Sequence, residues 1–235
     1  MATKDLIVTK TEAPGQKMSY EEFLNWSNEE VHAEWDASTG EAIIFMPPKD
    51  IHQTTLGFLY RLLSLYVELF NLGKVGFAPF EVKLKPGGSS REPDVFFVAK
   101  ANLERWTEER LIGPPDLIIE IISPDSVSRD RNKKFKEYAE ISVPEYWIID
   151  PRPGKQRADF FRLDEQNQYT LYATEDDERA ESQVLPNFWL RPAWLWQVDI
   201  LDPLTCALEI EGVAAALTQQ IRQVQSPDST NGETQ

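Results

Sequence analysis

The stretch Pro115–Ser126, PDLIIEIISPDS, decides how the rest of the chain is read. Leu117, Ile118, Ile119, Ile121 and Ile122 form an apolar run with the length and β-branched character of a strand buried on both faces. Glu120 interrupts it. An unpaired carboxylate is costly to remove from water, so a buried one is paired, hydrogen-bonded or bound to a metal ion. Strand alternation puts Glu120 on the same face as Ile118 and Ile122.

Working outward, DVFFVA after Asp94 and VGFAPFEVKL before a Pro-Gly-Gly turn predict two strands of a meander. Upstream, Leu56, Leu59, Leu63 and Val67 recur at helical spacing, predicting a helix from Ile51 to Leu72 with Gly73 at its C-terminal end. HAEWD and EAIIFMP flank ASTG as a hairpin around Gly40, and Ser19 with Glu22 match a capping box opening a short helix. Downstream of an expected loop, NLERWTEERLIGPP, and of the opening strand, a helix spans Asp130 to Ile141, with Phe135, Tyr138 and Ala139 on one face. EYWIID is the next apolar strand, with Tyr146 and Trp147 in the core, and ADFFRL and YTLYAT extend the sheet. VLPNFWLRPAWLW reads as a Trp-rich flap packed over the core.

The order α, β, β, β, α, β predicts an α/β (α+β) fold with a mixed central sheet, helices against it and additional N- and C-terminal strands. The expected division is a flexible arm over residues 1–17, one domain over 18–200, and an extension over 201–235 ending in a disordered polar tail.

Composition narrows the class. A single cysteine, Cys206, excludes an internal disulfide and fits a reducing compartment, and no run approaches a signal peptide or a membrane span. The expectation is a cytoplasmic globular protein away from membranes. With 24 Lys and Arg against 39 Asp and Glu, the net charge of −15 lacks the overall basic footprint of a nucleic-acid binder. Basic residues nevertheless outnumber acidic ones by nine to six between Val127 and Arg162, and acid concentrates afterwards in TEDDERAESQ.

If the strand of Glu120 neighbours the one entered through Glu92-Pro93-Asp94, the two carboxylates converge on one point. Two hard oxygen ligands with room for water suit Mg²⁺ or Mn²⁺. An ordinary ion pair of Glu120 with Lys or Arg satisfies the same residues, and two acids at this separation do not decide between them.

The composite of EPDVFFV, DLIIEIISPDS, Asp130…Lys134…Tyr138 and VPEYWIIDP resembles the Uma-two family of bacterial restriction-endonuclease-like proteins, within the PD-(D/E)XK nuclease superfamily. The similarity runs from about Met18 to Trp196. It implies the αβββαβ nuclease core and a Mg²⁺- or Mn²⁺-dependent endonuclease acting on DNA, with Asp94, Glu120 and the backbone carbonyl of Ile121 as metal ligands. The superfamily lysine two residues after the acid is replaced by Ile122, and Lys134 on the following helix is the candidate substitute. Asp130, Lys134 and Tyr138 then form one helical stripe, while Lys133 and Lys136 point elsewhere into solvent. Glu34 and His52 match accessory positions, Glu34 as a further metal or water ligand and His52 as a phosphate contact or proton shuttle. Many nucleases of this fold are homodimers. The alternative function is a non-catalytic nuclease fold kept for binding or regulation.

Overall fold

The computed structural model describes residues 17–27, 33–44 and 48–225. Of the arm expected over residues 1–17, all but Lys17 lies outside them, as do part of the hairpin flanks and the tail after Gln225.

The first described helix is α1 (Tyr20–Trp26), whose Ser19 and Glu22 form the reciprocal capping box. The hairpin β1 (Ala33–Asp36) and β2 (Glu41–Ile44) follows around Gly40. Then comes the long helix α2 (Asp50–Leu69), which buries Leu56, Leu59, Leu62, Leu63, Tyr66 and Val67 at three- and four-residue intervals. Each such side chain contributes roughly 1.5–3 kcal/mol of apolar transfer. Next are β3 (Gly73–Phe77), β4 (Glu81–Lys83), β5 (Ser90–Arg91), β6 (Val95–Ala99), β7 (Arg110–Ile112) and β8 (Leu117–Ile121). A π-helical turn, Arg129–Lys134, runs into α3 (Phe135–Glu140). β9 (Glu145–Asp150), β10 (Arg157–Leu163) and β11 (Tyr169–Thr174) complete the main sheet, and the short pair β12 (Ala180–Glu181) and β13 (Trp189–Leu190) follows. The described residues end in α4 (Pro203–Leu208) and α5 (Val213–Gln225).

The main sheet is mixed, in the order β11-β10-β9-β8-β6-β3. β8 and β9, buried at every position, lie parallel at its centre, joined across the π-turn and α3. One face packs on α2 through Val95, Phe97, Leu117, Ile119, Trp147 and Ile149. The opposite face, through Phe96, Ile118, Ile122, Tyr146 and Ile148, meets Tyr138 of α3 and Val82 of a second sheet ordered β2-β1-β5-β4-β7. The fold is the expected mixed α/β arrangement. The flap is also as expected, with Trp189 and Trp194 buried against the α2 core, and Tyr146 and Trp147 are fully buried.

Four local expectations change. VGFAPFEVKL is not one strand but two, β3 and β4, in different sheets, because the chain turns at Ala78-Pro79 and Pro79 has no N–H to continue a ladder. The expected loop NLERWTEERLIGPP begins inside a 3-10 turn, Lys100–Arg105, and contains β7, anchored by Trp106 stacking on Phe96 and Phe80. Asn71, at φ 53, takes the left-handed position after α2, where the Leu72 N–H reaches the Val67 carbonyl. Gly73 instead opens β3, and a Cβ there would lie 2.1 Å from the Val98 carbonyl oxygen. Finally, the helix expected from Asp130 begins as a π-turn before becoming α-helical. Beyond residue 200, α4 and α5 pack on α2, burying Cys206, Ala207, Ile210 and Val213 in the same core.

Candidate active site

Strand pairing sets the site. β6 and β8 are antiparallel with Val95 opposite Ile119, which places Asp94 across from Glu120. Pro93 fixes an extended entry, and Asp94 Oδ2 accepts the Ile121 N–H at 2.7 Å, so the aspartate closes the end of the ladder. Its Oδ1 lies 3.3 Å from His52 Nε2, delivered by the first turn of α2.

Glu120 is 3% exposed, and its Oε1 accepts from Lys134 Nζ at 2.9 Å and from the Tyr138 hydroxyl at 2.7 Å. The π-turn, followed by α3, turns Asp130, Lys134 and Tyr138 toward the sheet, and all three are buried. Lys134 Nζ also sits 2.9 Å from Glu34 Oε1 and 3.6 Å from Asp130 Oδ1. Both readings of this lysine, a helix pair with Asp130 and a partner of the strand acid, therefore describe the same ammonium. Tyr146 donates to the Asp130 backbone carbonyl at 3.0 Å, fixing the π-turn over the sheet.

Glu34 comes from β1 in the second sheet. Its Oε1 also accepts the Glu92 N–H at 3.0 Å, while Oε2 lies 3.8 Å from Arg91 Nη1. Arg91, fully buried, is the clamp behind the site. Its Nε and Nη2 grip both oxygens of Glu137 on α3 at 2.9 and 2.7 Å, Nη2 also reaches Asp36 Oδ2 at 3.2 Å, and Nη1 donates to the Trp35 carbonyl at 3.1 Å. Glu34 and Lys134 thereby reach the same point from different sheets. Lys133 does not project free into solvent as expected. It pairs with Asp36, which shares that carboxylate with Arg91, because the π-turn swings it toward β1. Lys136 is exposed as expected.

Three carboxylates thus compete for one ammonium. Burial would raise Glu34, but Lys134, Arg91 and the Glu92 N–H outweigh it and hold the carboxyl below its ordinary range. Burial pushes Glu120 well above that range; Lys134 opposes the shift, and Asp130, Asp94 and Glu34 add to it. Asp130 is raised for the same first reason. Burial works against a charged Lys134, yet Glu120, Glu34 and Asp130 more than compensate and keep it an ammonium. His52 is pulled down by burial and more strongly up by Asp94 and the Ile121 carbonyl. Glu92, pushed up by burial and by Glu34, titrates at about 7.

The site is therefore short of positive charge. Glu34 Oε2 and Asp130 Oδ1 are buried without a hydrogen bond, and the donors are hard oxygens, which fits a divalent cation such as Mg²⁺ in chemical kind. Among the described residues no three acidic, His or Cys side chains form a ready-made cage, so water and substrate oxygens would complete the coordination.

The structure brings together Glu34, His52, Asp94, Glu120, the Ile121 backbone, Asp130, Lys134 and Tyr138. Sequence reading missed Arg91, Asp36, Glu92 and Glu137. The available signal was Arg91 immediately ahead of Glu92-Pro93-Asp94, but its partners lie on β1 and α3, far away along the chain. Among the described residues, Ser123 bonds within the turn after β8, to the hydroxyl and the N–H of Ser126.

The crystal structure of a protein from Anabaena variabilis, described as a "putative nuclease belonging to DUF820", superposes with a TM-score of 0.63 at 19% identity, covering 77% of this chain and 98% of that one, which establishes a shared fold. No curated protein matches the chain. No helix among the described residues is long and apolar enough to cross a membrane. A family model described as "Putative restriction endonuclease" matches residues 20–193, which span β6, β8, the π-turn and every site residue named above, so the chain belongs to this nuclease-like family, Uma2.

Proposed function

We propose that the protein is a Mg²⁺-dependent endonuclease, also served by Mn²⁺, that hydrolyses phosphodiester bonds in DNA. The observation that carries this reading is the buried Glu120 standing across from Asp94 with Lys134 and Tyr138 on one of its oxygens. Asp94, Glu120 and the Ile121 carbonyl would hold the cation, whose chemistry when bound is to polarise the scissile phosphate and acidify a water.

The chain's own groups supply the rest. Lys134, kept as an ammonium by three carboxylates, can donate to a phosphate oxygen as negative charge develops and cannot serve as the base. Tyr138 orients Glu120 and leaves Oε2 outside both hydrogen bonds. His52 fixes the Asp94 carboxylate from the side opposite the Ile121 N–H contact. Glu34 and Asp130 hold Lys134 in place, and the apolar wall of Ile118, Ile122 and Ile148 limits water around it.

The test is nicking of supercoiled DNA with Mg²⁺ or Mn²⁺, alongside calorimetric Mn²⁺ titration, on wild type, Asp94→Asn and Glu120→Gln. Metal-dependent cleavage that both substitutions abolish, with Mn²⁺ binding lost in Glu120→Gln, is the expected result. Cleavage unchanged in both variants overturns it.

A second reading, a non-catalytic nuclease fold used for binding or regulation, draws on Ile122 packing into the core where the superfamily carries lysine, and on the charge of −15. It requires that neither wild type nor Glu120→Gln binds Mn²⁺.

A further inference from the structure

One charged surface near the site has no part in the chemistry above. Asp94, Glu120, Ile148 and Asp159 stand in register across β6, β8, β9 and β10, so their side chains share the face that carries the π-turn. Asp159 lies two strands from Glu120, about 10 Å at ordinary strand spacing. It is 2% exposed and lies beneath two arginines. Arg131 of the π-turn donates through Nη1 to its Oδ2 at 2.6 Å. Arg157 grips it through Nε and Nη2, leaving Nη1 outside these bonds, with the side chain 57% exposed.

The turn between β9 and β10 adds two more cations. The Arg152 guanidinium closes on buried Asp150 at 2.8 and 2.7 Å. Lys155, at the exposed tip, has no ion-pair partner among the described residues. The acids of this strip are thus buried below the cations that cover them, in a chain whose net charge is −15. On the far side, β11 delivers Glu175, which accepts the Ala158 N–H at 3.1 Å, and then Asp176, Asp177 and Glu178. An acidic border therefore ends the basic strip.

We infer that Arg131 and the β9–β10 turn, with Arg152, Lys155 and Arg157, form a track for DNA backbone phosphates flanking the scissile bond, bounded by the acidic segment Glu175–Glu178. This rests on the nuclease reading and names the surface through which that reading takes its substrate. The separation from Glu120 corresponds to roughly three nucleotide steps at about 3.4 Å of rise per step. Phosphate neutralisation releases counterions, so each cation on the track contributes to the salt dependence of binding.

The experiment measures binding of a fluorescent DNA duplex to the full chain in EDTA, titrated from low to moderate salt. Arg152→Gln/Lys155→Gln/Arg157→Gln is expected to weaken binding at low salt by about tenfold or more and to lower the log–log salt slope by about 2–3. Lys155→Gln alone, which breaks no ion pair, lowers the slope by about 1. Asp176→Asn/Glu178→Gln raises affinity several-fold. Arg61→Gln, on α2 and paired with Asp202, leaves the slope unchanged. Wild-type binding with a steep slope that neither Lys155→Gln nor the triple variant alters overturns the track and leaves the nuclease reading standing. Absence of DNA binding by wild type at every salt concentration overturns the track, and the nuclease reading falls with it only if the Mg²⁺ and Mn²⁺ nicking assay is also blank.

Discussion

Two glutamates lie in the central strands of the main sheet, Glu120 near the end of β8 and Glu145 at the start of β9. Both are buried, and in sequence they look alike. Their surroundings do not. Glu145 accepts from five neutral donors: Trp147 Nε1 at 2.9 Å, the Tyr172 hydroxyl, the Ser182 hydroxyl at 2.8 Å, and the Gln183 and Val184 N–H groups at 3.1 and 3.4 Å. It ties the segment leading into the Trp-rich flap onto the sheet. Glu120 has one neutral donor, one ammonium that it shares with two other acids, and Asp94 across the ladder. A carboxylate satisfied by neutral dipoles serves structure. One left among competing charges is primed to take a cation, and such perturbed groups concentrate at functional sites.

The sharpest way to break this contrast is to neutralise each acid. Glu120→Gln should abolish metal-dependent cleavage while leaving the chemical-denaturation midpoint nearly unchanged. Glu145→Ala should do the reverse, costing about 5 kcal/mol, because several donors each lose an acceptor at about 1–3 kcal/mol apiece and relaxation recovers part of it. Equal destabilisation by the two substitutions would make Glu120 a structural acid as well.

Removing the clamp comes next. Arg91→Met leaves Glu137, Asp36 and Glu34 without their shared guanidinium and is expected to cost about 3–5 kcal/mol in urea unfolding. Arg91→Lys should recover only part, since an ammonium cannot reproduce the two-pronged grip on Glu137.

A pH titration of stability sharpens the electrostatic side. Folded Glu92 holds a proton up to about 7, whereas its ordinary value is 4.5, so through that window the folded state binds more protons than the unfolded one. Its contribution is full below about 4.5 and lost as pH rises through about 7. Glu92→Gln should therefore flatten the decline of stability across that interval, and an unchanged slope would show that the carboxyl is solvated.

The smallest effect belongs to α1, far from the contrast. Ser19→Ala should cost about 1 kcal/mol by leaving the Glu22 N–H uncapped, read as a shift in thermal midpoint with cleavage intact.

Local pattern carried much of the fold. The capping box at Ser19, the 3.6-residue recurrence from Leu56 to Val67, and the predominantly apolar runs of β8 and β9 each reflect short-range physics that a sequence displays directly. The same runs exposed Glu120 as an anomaly, and Pro93 next to Asp94 marked the second acid. What pattern could not display was partnership across the fold. The π-turn that aims Lys134 at Glu120 and Lys133 at Asp36 follows from packing, not from helical spacing. The division of VGFAPFEVKL between two sheets depends on which ladders are free to accept each half. The different roles of Glu120 and Glu145 were not legible in sequence because a buried carboxylate's character is set by the charges and dipoles around it, and those arrive from strands and helices that only the tertiary structure brings together.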